Sequence, residues 1–200
     1  MEAQTGREEP AQKKRSRRRG ADAYLLLHDL VYILVGVTLL FTFAVRMVGV
    51  SGPSMTPTLL DGDYVLMQSN FNYRTVKTGD VVVMQVERYD SQPIVKRVIA
   101  TGGQTVDIDF EEGKVYVDGV LLDEPYINEY DIMPYHTTKD YAIGLEYPVT
   151  VPEGQLFVMG DNRDHSADSR YGVIGLVDER CVLGKVWAVV YPFSQIGLVH

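Results

Sequence analysis

Three kinds of side chain in this sequence could combine into hydrolytic chemistry. Ser54 lies in Ser51-Gly52-Pro53-Ser54-Met55-Thr56-Pro57-Thr58, Lys96 lies in Ile94-Val95-Lys96-Arg97-Val98-Ile99, and histidines and carboxylates stand as rival bases. A serine hydroxyl is too weak an acid to supply an alkoxide at neutral pH, so it needs a partner that takes its proton. His136, His165, Lys96 and the carboxylates are the candidates. Period-2 alternation places Ile94 and Val98 on the face that carries Lys96, and apolar neighbours disfavour an ammonium. To act near neutrality, the Lys96 pKa must fall from about 10.4 by roughly two to three units, about 3–4 kcal/mol of differential solvation. Taken alone, Lys96 also fits a strand lysine that snorkels or pairs with a carboxylate.

A third segment, Met159-Gly160-Asp161-Asn162-Arg163-Asp164-His165-Ser166-Ala167-Asp168-Ser169-Arg170-Tyr171-Gly172, follows an apolar run and alternates charges among turn formers. Its composition fits a solvated Asx-rich loop. It also holds what a Ser-His-Asp triad would require, with His165 and one of Asp161, Asp164 or Asp168 serving Ser54, although that arrangement leaves Lys96 without a role. The four histidines, His28, His136, His165 and His200, show no H-E-x-x-H or similar ligand spacing, so neither a metal nor another cofactor is expected.

The elements that must position these residues begin with a membrane segment. Residues 23–45 span roughly 35 Å as a helix, enough to cross a hydrocarbon core of about 30 Å. Only His28 and Asp29 interrupt its apolar character, near the start, where side chains can reach the headgroups. Lys13, Lys14, Arg15, Arg17, Arg18 and Arg19 precede it, a basic cluster that favours retention on the cytoplasmic side. Everything after Arg46 is then expected outside. A cleaved signal peptide fits less well, because the apolar run exceeds about 7–15 residues and Val48-Gly49-Val50 is a poor cleavage site.

The formal charge of −8 conceals two unlike parts: residues 1–22 carry +3 and residues 47–200 carry −11. An acidic exported part argues against a nucleic-acid surface, which needs a basic patch to displace phosphate counterions. The single cysteine, Cys181, forms no internal disulfide, so about 150 exported residues must cohere through their core. Cys181 reads as a small buried apolar residue.

Beyond the anchor the texture is that of strands. Runs at 64–67, 81–86, 94–99, 106–110, 115–117, 156–159 and 186–191 are β-rich and bounded by Gly, Asp, Asn or Pro. Asp118-Gly119 signals a type I′ hairpin joining 115–117 to 120–122. The predicted fold is mostly β, with a basic tail (1–22), an anchor (23–45), a catalytic β-core in two parts (46–103 and 155–200) and an inserted subdomain (104–154). Met47 to Val50 reads as an apolar surface resting in the membrane interface or as a simple linker.

Five boxes occur in one order: Ser54-Met55, Asp61-Gly62-Asp63-Tyr64-Val65-Leu66, Thr78-Gly79-Asp80-Val81-Val82, Val95-Lys96-Arg97-Val98-Ile99 and Gly160 to Arg170. Together they resemble the bacterial type I signal peptidases over nearly the whole chain after the anchor, in the single-anchor form common in Gram-positive bacteria. The resemblance implies a membrane-bound endopeptidase that removes signal peptides from exported proteins with a Ser-Lys dyad. By the same resemblance, Ser54 is the nucleophile, Lys96 the general base and Ser166 the hydroxyl that orients the lysine amine. Asp168 and Arg170 correspond to a supporting ion pair, and Met55 to a wall of the substrate site. The implied partners are signal peptides, the lipid bilayer and the protein translocation machinery. Some relatives carry a second oxyanion-binding serine where this chain has Gly52, so that donor is missing here. A Ser-Lys protease with another dedicated substrate, and a non-catalytic membrane-tethered binding module, remain as alternatives.

Overall fold

The computed structural model describes residues 9–69, 75–87, 89, 92–127 and 145–200. It falls into two units, 1–43 and 44–200. The first holds the helix α1 (Glu9–Phe43). Within it, Asp22–Phe43 has a mean hydropathy of 2.0 and is long and apolar enough to cross a bilayer. The expected segment ran to Val45, but the helix ends at Phe43, because Val45 already pairs across a sheet with Gln68.

The second unit contains β1 (Val45–Gly49), β2 (Tyr64–Ser69), β3 (Val81–Met84), β4 (Ile94–Thr101), β5 (Thr105–Asp109) and β6 (Lys114–Val117). These are followed by β7 (Val120–Leu121), β8 (Val149–Thr150), β9 (Gln155–Met159), β10 (Val177–Asp178), β11 (Val182–Tyr191) and β12 (Gly197–Leu198). The main sheet has the order β1-β2-β11-β3-β4-β9-β10, with β12 on β11; the second has the order β7-β6-β5-β8. The fold is mostly β, as the alternating patterns predict.

Burial follows from the pattern of each strand. Val81-Val82-Val83-Met84 is an uninterrupted apolar run, and β3 is buried on both faces: Val81 and Val83 join one cluster with Met55, Leu59 and Val65, while Val82 and Met84 join another with Val98 and Val158. Ile94 and Val98 both pack on that second cluster, as alternation along β4 predicts. The hairpin between β6 and β7 turns through Asp118 (φ 53°) and Gly119 (φ 76°), the two positive-φ positions a type I′ turn requires.

Residues 104–154 supply the whole second sheet, yet its core is shared. Val106, Ile108, Val115 and Val117 pack with Ile99, Phe157 and Met159 of the main sheet. Met47 to Gly49, read from sequence as interface or linker, instead forms most of β1, paired antiparallel to β2 from Val45↔Gln68 to Gly49↔Tyr64. A strand this short is specified by its distant partner, and the local sequence carries little of that information.

Candidate active site

Ser54 sits in a loop whose ends meet. Val50 N–H donates to Asp63 O at 2.7 Å and Gly62 N–H to Val50 O at 3.0 Å, while Met55 and Leu59 plug the interior at 1% and 0% exposure. Gly52, at φ +87°, occupies the left-handed region that favours glycine, and its N–H is held by Asp61 Oδ1 at 2.9 Å. The loop is fixed from its other side by Asn162, whose backbone N–H donates to Ser54 O and whose Nδ2 donates to Pro53 O, each at 3.1 Å.

Lys96 reaches this loop from β4, where it pairs with Val82 of β3. Its Nζ donates to Ser54 Oγ at 2.8 Å, and the residue is 4% exposed. Burial is the main cause that lowers its pKa from 10.5 to about 8; the negative charges of Asp168 and Asp161 oppose that fall and Arg170 assists it. An amine whose neutral form is accessible near neutrality therefore touches a half-buried serine hydroxyl.

Beneath them, Asp168 and Arg170 form a buried bidentate pair, Nε to Oδ1 at 2.8 Å and Nη2 to Oδ2 at 2.9 Å. Burial opposes ionisation of Asp168, but Arg170, the Gly160 N–H and Lys96 together hold its carboxyl below the usual range. Ser166 is also buried, against Gly160: a Cβ on that glycine would lie 2.2 Å from Ser166 Oγ and 2.4 Å from Ser54 O. The Ser166 hydroxyl makes no hydrogen bond in this structure, so it stands close to the serine loop without a direct link to Lys96. His165 is exposed and its ring Nδ1 lies 3.3 Å from Asn162 Oδ1, while Ser54 Oγ is taken by Lys96. The geometry thus favours the lysine over a histidine triad. His136 lies outside the described residues.

A cavity of about 630 Å³ opens beside the pair, lined by Val48 to Gly52, Ser54, Met55, Tyr89, Gln92 to Lys96, His165 and Ala167. A second cleft, about 750 Å³ and lined by Gln85, Glu87, Asp178, Arg180 and Cys181 among others, shares none of these residues.

The sequence pattern of the family described as "Signal peptidase, peptidase S26" matches residues 24–191. The chain belongs to this family. It is 37% identical over 153 residues to "Signal peptidase I" of Bacillus licheniformis, spanning 74% of this chain and 77% of the relative. It is 34% identical over 201 residues to "Signal peptidase I T" of Bacillus subtilis (strain 168), spanning 98% and 96%. Among solved structures, a signal peptidase I from Enterococcus faecalis V583 is 31% identical, covers 56% of this chain and 97% of that one, and has a TM-score of 0.44.

This member of the signal peptidase family holds further buried polar pairs that sequence reading did not bring together; Asp161, a candidate triad carboxylate from sequence, is instead engaged by Arg97. Arg97 pairs with Asp161 through Nε–Oδ1 at 2.8 Å and Nη2–Oδ2 at 2.7 Å, and Asp161 also accepts from Thr58. Arg163 pairs with Glu124, which comes from the segment between the two parts of the main sheet. Alternation does turn Arg97 away from Lys96, toward the opposite face of a buried strand, where an arginine needs a carboxylate. No comparable signal marks Glu124.

Proposed function

We propose that the chain cuts N-terminal signal peptides from exported preproteins, with Ser54 as nucleophile and Lys96 as general base. The observation that carries the assignment of roles is the 2.8 Å contact between Ser54 Oγ and a buried lysine amine. Family membership and the relatives' names supply the substrate class.

Neutral Lys96 takes the Ser54 proton as Oγ attacks the scissile carbonyl carbon, and returns it to the departing amine. The resulting acyl-enzyme is hydrolysed by water, activated by the same amine. The oxyanion can receive the Ser54 N–H; Pro53 has none, and the Gly52 N–H is already donated to Asp61. Asp168 and Arg170 support the base from below, and Ser166 packs the serine loop in place.

The substrate lies extended in the cavity between Val48–Val50 and Ile94–Lys96. β1 is the edge of its sheet, and β4 pairs with β9 only from Arg97 onward, so both walls offer unpaired backbone for strand addition. Met55 forms part of the wall, where small substrate side chains fit. The basic residues Lys13 to Arg19 lie in α1 ahead of its apolar stretch Asp22–Phe43, and they support a cytoplasmic N-terminus with the catalytic unit outside and that stretch in the bilayer. A signal peptide held in the same bilayer is then presented at raised effective concentration.

The test is cleavage of a preprotein with an Ala-x-Ala junction by the purified chain in detergent or lipid, alongside Ser54→Ala, with the product N-terminus sequenced. A cut after the junction that vanishes in the variant supports the reading. No cut by either protein, or a cut that survives the substitution, removes it.

A further inference from the structure

Glu124 and Tyr126 lie in the stretch between β7 and β8, outside every box that carries the family resemblance, yet both reach buried arginines on either side of the active site. Arg163 donates from Nη1 to Glu124 Oε2 at 3.0 Å and from Nη2 to Oε1, with side-chain exposures of 5% for the arginine and 8% for the carboxylate. Its Nε donates to Gly160 O at 3.2 Å, and its own carbonyl accepts from Arg170 Nη2 at 2.7 Å. Gly160 is thereby gripped at both ends, since its N–H donates to Asp168 Oδ2 at 3.0 Å. This is the glycine against which Ser166 and the Ser54 carbonyl pack.

Tyr126 completes the bridge. Its hydroxyl donates to Glu124 Oε1 at 3.0 Å, and the Arg97 Cζ stands 3.8 Å from its ring centroid. Arg97 follows Lys96 in β4 and spends its N–H groups on Asp161, Gly79 O and His200 O, leaving the π face of Tyr126 to cover the guanidinium plane. The brace therefore runs from the strand that carries the base, through Tyr126 and Glu124, to the loop that carries Ser166 and Asp168. Neither brace residue lines the substrate cavity.

We propose that Glu124 and Tyr126 are positioning residues for the cleavage reaction, holding β4 and the 160–170 loop in register so that Lys96 meets Ser54. This rests on the peptidase reading above. A buried carboxylate facing an arginine, and an aromatic ring covering a second arginine, fix two elements that share no box, and displacement of reacting groups by about 1 Å can cost on the order of 100-fold in rate.

The experiment measures kcat and KM of the full chain on a signal-peptide substrate, well below each variant's melting midpoint. The variants are Glu124→Gln, Tyr126→Leu and Tyr126→Phe. The expected result is a fall in kcat of about 10- to 100-fold for Glu124→Gln and Tyr126→Leu with KM changed by less than about threefold, and restoration of most of the loss in Tyr126→Phe, which keeps the ring. The rising limb of the pH profile should also move upward from about 8 in Tyr126→Leu, as the site around Lys96 loosens and admits water. If Glu124→Gln does not fold, Glu124→Gln with Arg163→Met removes the stranded charge and carries the same expectation. Wild-type kcat in Glu124→Gln and Tyr126→Leu, a rise in KM alone, or a loss that tracks only the unfolded fraction overturns the proposal. Wild-type cleavage that disappears in Ser54→Ala runs in parallel, so failure of the brace and failure of the peptidase reading give different results.

Discussion

A lysine shut away from water can be a base only if its environment makes the ammonium costly and its geometry leaves the lone pair aimed at a proton. Lys96 is 4% exposed and its Nζ lies 2.8 Å from Ser54 Oγ, the burial and the proximity that the proposed base role requires. Since the neutral amine is the reactive form, kcat/KM should rise with pH along a limb centred near 8. A limb near 6.5 would point to a histidine instead. Lys96→Arg should abolish cleavage, because the guanidinium stays protonated; steady-state assays of that variant provide the check. The lowered pKa also has a stability consequence. Between about 8 and 10.5 the unfolded chain binds a proton that the folded chain does not, so this group's contribution to stability rises with pH across that window. Lys96→Met should therefore melt higher than the parent at pH 7, by up to about 3 kcal/mol, with the gap closing toward pH 10.5 in thermal scans. His165→Ala should keep turnover within about threefold, since the ring faces Asn162, whereas loss of a triad base would cost about 10⁴-fold.

Strands and loops meet at points with no room to spare. Gly160 separates the serine loop from Ser166, and an alanine there would drive its Cβ into Ser166 Oγ and the Ser54 carbonyl. Gly160→Ala should cost about 1–3 kcal/mol in stability and push the dyad out of line, which chemical denaturation and kcat measured together would register. Gly184, where β11 crosses β2, is as tight: its Cβ would lie 2.1 Å from Gln68 O. There an alanine should lower the melting midpoint by a similar mechanism, with activity of the folded fraction better preserved than in Gly160→Ala. The Asp168–Arg170 pair belongs to the same scale, since it ties the two ends of one turn and the Gly160 peptide together. Its carboxyl is held below the usual range, so its stabilisation is present above the unfolded value near 3.9 and is lost as pH falls through the lower folded value. Asp168→Asn, which strands a buried guanidinium, should cost about 3–5 kcal/mol by equilibrium denaturation.

At the scale of the whole molecule, α1 and the catalytic unit are joined by a single chain passage between Phe43 and Val45. If α1 holds the enzyme in the bilayer, cleavage of a membrane-held preprotein depends on surface density rather than bulk concentration. Raising the lipid-to-protein ratio at fixed bulk concentrations should slow cleavage of such a preprotein in reconstituted vesicles and leave a soluble peptide's rate unchanged. The apolar N-terminal helix, the mostly β class, most of the long strands and the Asp118-Gly119 hairpin were legible in the sequence, because hydropathy, period-2 alternation and positive-φ turn chemistry are local properties. Ser54, Lys96, Asp168 and Arg170 were legible as candidates through the boxes that carry the family resemblance. Their convergence was not. That Lys96 touches Ser54, that Ser166 packs on Gly160 without bonding the amine, that β1 is a strand, and that Glu124 and Tyr126 reach Arg163 and Arg97 were decided by the tertiary structure. Those contacts join segments tens of residues apart, and whether a polar group there is buried and paired depends on partners that no local window contains.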